Sequence, residues 1–335
     1  MMAGLSKRGG GGLAFASYAT VCLVWGSTYL AIRIGVQHLP PALMGAFRHV
    51  AAGALLLGIA LLLGQRLPRR AIDWRTNIIV GVILLGVANG LVIWAEQFMH
   101  SGPAAIFIVT VGLWMAVFDA IIPGSTARPT ALQVLGLLAG FGGTLLLVGD
   151  DLETLRQADW RGPLALTVAA AAWALGSVYS QRRPTDSGAY VNSAMRLLAG
   201  GLALFIAGTV RGEWGSLTFT WAGFGAVVYL ALFGSILGFT AYTYVLRHWP
   251  ATVTGTYVYV NTVVAVFLGW LVLSEPITKR TILSMAIVMA AVVVVRRAGR
   301  KTAKTISKPE LPAAKTPGDA GPVRLEAQTT DAGQR

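Results

Sequence analysis

The chain has 335 residues, 55% of them hydrophobic and only 12% charged, with a mean hydropathy of +0.65 and a formal net charge of +13. Soluble domains carry about 25% charged residues, and a core of this length cannot bury so much apolar surface, so lipid must cover the rest. The positive balance does not point to nucleic acid, because the basic residues sit in short loops and at the two ends, where the positive-inside rule puts them.

A helix needs roughly 20 apolar residues to cross the hydrocarbon core. Ten stretches qualify: about 13–34, 41–63, 76–96, 102–122, 130–149, 162–181, 189–209, 219–239, 251–273 and 279–296. Lipid offers backbone groups no hydrogen-bond partners, so these spans must be helices. The alternation of a membrane β-barrel is absent. The expected fold is therefore an all-α integral membrane protein of ten transmembrane helices. Lys7 and Arg8 precede the first span in the manner of a signal peptide, but the apolar stretch is too long for one and nine more follow, so it reads as an uncleaved span. The single cysteine, Cys22, lies in that span and permits no intramolecular disulfide.

The two halves repeat each other at an offset of about 150 residues. Trp25-Gly26-Ser27-Thr28-Tyr29 returns as Trp173-Ala174-Leu175-Gly176-Ser177-Val178-Tyr179, Arg48 returns as Arg196, Gly86-xxx-Gly90 as Gly234-xxx-Gly238, and His100 as His248. Residues 13–149 and 162–296 are thus read as two five-helix units, flanked by a cytoplasmic segment 1–12 and a disordered cytoplasmic tail 302–335. Five spans per unit make the second enter the membrane from the opposite side, an inverted repeat. With the N-terminus inside, cytoplasmic loops hold Arg66, Arg69, Arg70, Arg75, Arg128, Arg182, Arg183 and Arg247, whereas the largest outside loop carries Asp150, Asp151, Glu153 and Asp159. Both termini are expected in the cytoplasm of a multi-pass protein of the cell (inner) membrane.

Charged groups at membrane depth come first as site candidates. Arg48 lies about seven residues inside the second span, roughly 10 Å along the helix. It reads as an anion anchor or gate residue, or else as a structural arginine that snorkels and ties helices together, and the same holds for Arg196. Glu96 ends the third span; it is either a proton-coupling carboxylate or a solvated residue at the outer headgroups. Asp119, near the inner end of span four, would pair with Arg128 across the cytoplasmic mouth. Arg48, Glu96, Asp119 and Arg196 form the gate and coupling set. Trp25, Ser27, Asn89, Thr110, Trp114, Trp173, Tyr257 and Asn261 form the candidate substrate cavity, since mid-span aromatic and amide groups need polar partners. Each is also open to the plainer reading of helix–helix packing. The small-residue pairs of Gly86, Gly136 and Gly234 are read as sites of close helix approach.

Enzyme chemistry finds no constellation: there is no H-E-x-x-H and no G-x-S-x-G. The four histidines, 38, 49, 100 and 248, are scattered and mostly near helix ends, so no metal cluster and no cofactor is expected. Gly140-Phe141-Gly142-Gly143 sits inside an apolar span with no strand before it, which argues against a phosphate loop.

These residues also resemble a known group. Trp25-Gly26-Ser27-Thr28-Tyr29 with Arg33-Ile34-Gly35, Pro40-Pro41, Arg48, Asn89-Gly90, Trp94-Ala95-Glu96, Thr254-Gly255-Thr256-Tyr257 with Asn261, and Ser274-Glu275-Pro276 together are similar to the drug/metabolite transporter superfamily, specifically proteins with two EamA domains. The resemblance implies a ten-helix exporter of amino acids, other metabolites or aromatic drugs. Spans one, three, four, six, eight and nine would surround its cavity. Small-molecule substrate and lipid bilayer are the implied partners, with no nucleic acid, in a monomer or weak homodimer. Alternating access by a secondary transporter is the expected mechanism; a passive channel or a lipid flippase is the alternative. Two departures from the family pattern stand out: Gly112 and Thr262 occupy the places where the family often has mid-helix prolines, which puts the extent of helix kinking at the gates in question.

Overall fold

The computed structural model of the protein describes residues 6–98, 104, 107–123, 129–148, 159–273 and 277–306, and these form helices joined by short turns, without a strand among them. The helices are α1 (Ser6–His38), α2 (Pro41–Leu62), α3 (Ala71–Ala95), α4 (Thr110–Ile121), α5 (Ala131–Val148), α6 (Arg161–Arg182), α7 (Ala189–Val210), α8 (Trp221–His248), α9 (Tyr257–Leu273, after a helical turn Ala251–Thr254) and α10 (Lys279–Ile306). Seven stretches, all but α4, α5 and α9, are long and apolar enough to cross a membrane; α4 and α5 are shorter apolar helices. Arg128, His100, Glu275 and the 150–156 acidic loop lie outside the described residues, as does the tail from 307 onward; α10 itself continues to Ile306.

Local chemistry sets the helix ends. Pro41 opens α2, where a missing N–H costs nothing. Its free amides at Ala42 and Leu43 both donate to Glu213 Oε2 at 3.0 Å, so a carboxylate from the second half caps a helix of the first. Thr130 and Gln133 cap α5 reciprocally, Thr130 N–H to Gln133 Oε1 at 2.9 Å and Gln133 N–H to Thr130 Oγ1 at 3.2 Å. The span expected at 219–239 runs on to His248 because α8 has no breaker before Trp249-Pro250.

α3 and α8 share a feature that composition does not announce. Each widens to π-helix in its middle, over Val82–Ala88 and Leu230–Phe239. The Asn89 N–H reaches back five residues to Leu84 C=O. Such segments rotate the side chains that follow them and recur at functional sites. The break in α9 falls at Gly255-Thr256, and the irregular start of α4 at Val109, while Thr262 lies in regular helix with its hydroxyl on Val258 C=O at 3.1 Å. Gly112 and Gly255 face each other closely: a Cβ on Gly255 would stand 3.2 Å from Gly112 Cα.

The packing is symmetric under exchange of the halves. α2 lies along α7 and α5 along α10; α1 packs on α8 and α9, as α6 packs on α3 and α4; α2 meets α8 as α7 meets α3. Contacts sort the helix ends into two layers. One holds the Arg182–Asp119 ion pair, the Arg70–Asp186 pair (2.9 Å), and Arg296 over the rings of Phe15, Tyr18 and Trp249. The other holds Glu213 on α2, Arg211 over Trp94, Arg161 over Phe98, and Arg280 donating to Leu146 C=O at 2.8 Å.

The glycine pairs act less as helix crossings than as seats for side chains. Gly140 receives the Tyr259 ring, whose hydroxyl donates to Leu137 C=O at 2.9 Å, and Gly143 receives Val288. A methyl on Gly238 would overlap the Trp25 indole, and one on Gly234 would stand 2.8 Å from Arg48 Nη2. Close backbone approach occurs where Gly81 meets the Arg196 carbonyl and where a Cβ on Gly200 would stand 2.8 Å from the Gly81 oxygen and 3.0 Å from Gly86 N, so Gly86 does sit at a close helix approach.

Candidate functional site

The π-helical segments and the centres of α1, α2, α6 and α9 enclose a cavity between the two halves. Its volume is about 80 Å³, room for a few waters, so a larger solute needs the walls to part. α1 contributes Trp25, Thr28, Tyr29 and Ile32; α3 contributes Leu85, Ala88, Asn89 and Val92. Since α1 ends at His38 and α3 at Ala95, the cavity runs from mid-bundle toward the layer that holds Glu213.

Its floor is aromatic. The Trp25 ring contacts Trp173, Tyr242 and Tyr257 with centroids 5.2–5.4 Å apart, in tilted or edge-on geometries that suit ring quadrupoles. Trp25 Nε1 donates to Gly234 C=O at 2.9 Å. Trp173 is held by a closed loop of hydrogen bonds: its Nε1 donates to Tyr242 Oη (3.1 Å), Tyr242 to Ser177 Oγ (2.5 Å), and Ser177 back to Trp173 C=O (2.6 Å). Beneath this floor the chain is closed again. Arg182 pairs with buried Asp119, and Gln181 Nε2 donates to Leu246 and Trp249 carbonyls at 2.8 Å each. Tyr18 donates to Thr256 Oγ1 at 2.8 Å.

One wall carries a polar chain from α2 to α8 to α3. Arg48 Nε donates to Ser235 Oγ at 2.9 Å; Ser235 Oγ is hydrogen-bonded to His49 Nδ1 at 3.3 Å, and His49 Nε2 to Asn89 Oδ1 at 3.0 Å. Arg48 Nη1 is buried without a hydrogen-bond partner. Asn261, oriented to donate, reaches the carbonyls of Tyr257 and Cys22 at 3.0 Å each.

Of the residues singled out in the sequence, Trp25, Asn89, Trp173, Tyr257, Asn261 and Arg48 line this cavity. Ser27, Thr110 and Trp114 do not. Ser27 donates to Val24 C=O and accepts from Tyr229, Thr110 donates to Phe107 C=O in its own helix, and Trp114 stacks on Phe118 one turn along α4. Arg196 is likewise outside, with Nε on Asn77 Oδ1 at 3.0 Å. The described partner of Asp119 is Arg182, from the second half, Arg128 being outside the described residues. Glu96 is buried one turn beyond Val92, on the helix face that carries Asn89. Both its oxygens lack hydrogen-bond partners, and Arg33 and Tyr29 of α1 lie within electrostatic reach.

His49, Ser235 and Phe239 are the wall residues that sequence reasoning passed over. His49 carried a signal: it is a mid-span histidine, adjacent to Arg48 and far from either helix end. Among the described residues no group of three His, Cys, Asp or Glu side chains could hold a metal ion.

A bundle of apolar helices, built of two like halves around a central cavity, defines a multi-pass membrane protein of the transporter class. The chain belongs to the EamA-like transporter family, which matches it twice, over residues 12–149 and 160–297. It is 37% identical over 285 residues to the uncharacterized inner membrane transporter YedA of Escherichia coli K12, covering 85% of this chain and 89% of that one. It is 23% identical over 274 residues to the uncharacterized transporter YoaV of Bacillus subtilis 168, covering 82% and 93%. Among solved structures, one crystal structure superposes with a TM-score of 0.68 at 21% identity, covering 86% of this chain and 98% of the other, a likeness of fold.

Proposed function

We propose that the protein is a secondary transporter that exports small organic solutes across the inner membrane by alternating access. Ten crossings in two inverted five-helix repeats, with both termini cytoplasmic, would put the Arg182–Asp119 layer inside and the Glu213 layer outside. The observation that carries this reading is the cavity between the halves, closed on its cytoplasmic side by two successive seals, the aromatic floor and the Asp119–Arg182 pair. A solute path interrupted in this way suits a carrier that opens one side at a time and not a continuous pore. The exchange-symmetric packing supports it further, because swapping the conformations of the two halves would open the opposite side.

In this reading Trp25, Trp173 and Tyr257 enclose the solute, and Asn89 and Asn261 stand as its amide partners. Glu96 is the coupling candidate, a buried carboxylate with unsatisfied oxygens just beyond the cavity. The test is solute counterflow in proteoliposomes across a broad panel of metabolites and drugs, repeated with an imposed pH gradient. Glu96→Gln is expected to abolish gradient-driven flux and leave solute exchange intact. Gradient-driven flux unchanged in that variant removes Glu96 from the mechanism, and no saturable flux of any solute removes the carrier reading.

A further inference from the structure

We propose that the negative group of the transported solute docks on Arg48, and that the solute is a small organic acid: a carboxylate on a flat apolar body. This rests on the transporter reading above and names the chemistry of its cargo.

Arg48 is 4% exposed and lies in the cavity wall near the middle of the bundle. A buried guanidinium is normally met by a carboxylate, because an unpaired charge away from water is expensive. The molecule contains such a pair for comparison, Arg182 with Asp119. Arg48 has no carboxylate within ion-pairing distance among the described residues. Among the described residues its side chain bonds only through Nε, to the neutral Ser235, and its Nη1 has no hydrogen-bond partner.

The surroundings hold that charge in place without neutralising it. Ser235 is held by His49 and His49 by Asn89, so Nε is anchored through a continuous chain of hydrogen bonds. Gly234 makes room for the guanidinium. A charge so positioned and left uncompensated is the arrangement of an anion site. Among the described residues no aspartate or glutamate lines the cavity itself, Glu96 lying one turn beyond Val92, so a solute's ammonium group finds no carboxylate at the level of Arg48. Trp25, Trp173 and Tyr257 provide ring faces for a planar body beside the anion site.

The test uses three ligands of one shape: phenylacetate, phenylacetamide and phenethylamine. Binding is measured on the full-length protein in lipid nanodiscs, and exchange in proteoliposomes. Phenylacetate is expected to bind and exchange, phenylacetamide and phenethylamine at least tenfold more weakly. Arg48→Gln should lower phenylacetate to the level of the amide, while Arg48→Lys retains a preference for the acid. Equal binding of the acid and the amide, tighter binding of the amine, phenylacetate binding untouched by Arg48→Gln, or no binding of any of the three overturns the proposal. If Arg48→Gln does not fold, the ranking of the three ligands on the wild-type protein decides alone. The two readings fail separately: phenethylamine exchanged without phenylacetate rejects the acid and keeps the carrier.

Discussion

Arg48 and Arg196 occupy the same place in two copies of one unit, and their surroundings are opposite. Both are nearly inaccessible, at 4% and 3% exposure, and each crosses to the π-helical span of the other half, Arg48 to α8 and Arg196 to α3. Arg196 meets an amide: Asn77 accepts its Nε at 3.0 Å and donates to Asn192 at 2.7 Å. Behind it Gly81 lets the two backbones touch, so this half is sealed. Arg48 meets a serine, retains an unpartnered nitrogen, and has a cavity before it. The two halves supply two equivalent cations; the neighbours packed one between helices and left the other at the cavity wall. A symmetric sequence motif is therefore not evidence for symmetric surroundings.

Arg182 marks the third possibility, a partly buried arginine with its own buried carboxylate. Asp119→Asn strips that partner and should carry the largest effect, a loss of about 3 kcal/mol, since breaking a buried pair leaves one charge uncompensated. Thermal unfolding in detergent measures it, and because the pair closes one face, the variant should also leak solute faster. Stability equal to wild type would place Arg182 with Arg48 as a tolerated lone charge.

The glycines beside the two arginines separate packing from binding. Gly81→Ala forces a methyl into the Arg196 backbone carbonyl, which cannot move without parting α3 and α7, and should cost about 2 kcal/mol of stability. Gly234→Ala meets only the end of the Arg48 side chain at 2.8 Å and the Thr28 methyl at 3.1 Å, groups that can yield. It should cost less than about 1 kcal/mol in stability and yet weaken solute binding several-fold by displacing the guanidinium. Equal effects of the two substitutions on binding per folded molecule would erase the distinction between the halves.

The smallest expected effect sharpens it most. Arg196→Gln removes one hydrogen bond and leaves Asn77 Oδ1 short of a donor, a cost of about 1 kcal/mol. Exchange rates per folded molecule should stay within about twofold of wild type, a change below 0.5 kcal/mol. A tenfold loss of exchange in this variant would return Arg196 to the site.

Much of the fold was legible because lipid imposes a local rule. A stretch is apolar for long enough or it is not; the ten predicted stretches each overlap a helix of the structure, and seven of those helices are long and apolar enough to cross a membrane. The ends were less legible: α8 runs to His248 and α1 to His38, since nothing in a span's composition says where helix stops and only breakers such as Pro40 and Pro250 do. The site was half legible. Trp25, Trp173, Asn89, Asn261 and Arg48 stood out as polar or bulky groups at depth, and depth is readable by counting. Which way each side chain turns is not. Thr110 and Ser27 look like Asn89 in sequence, but a hydroxyl can satisfy itself on the carbonyl three residues back in its own helix, and both do. An amide is held by neighbouring helices, as Asn89 is by His49. His49 escaped notice because it adjoins Arg48, and consecutive residues on a regular helix do not share a face. The wide turn of α8 brings Ser235 within reach of both.

The amino-acid sequence alone determined the solvent, the helices and the duplication, because hydrophobicity, span length and repeat offset are all properties of residues taken in order. The tertiary structure decided which of two equivalent cations faces the cavity, which glycines seat side chains, and where the cavity lies. Those depend on what approaches from helices more than a hundred residues away in the chain, and in spans that are apolar all round no periodicity records the approach.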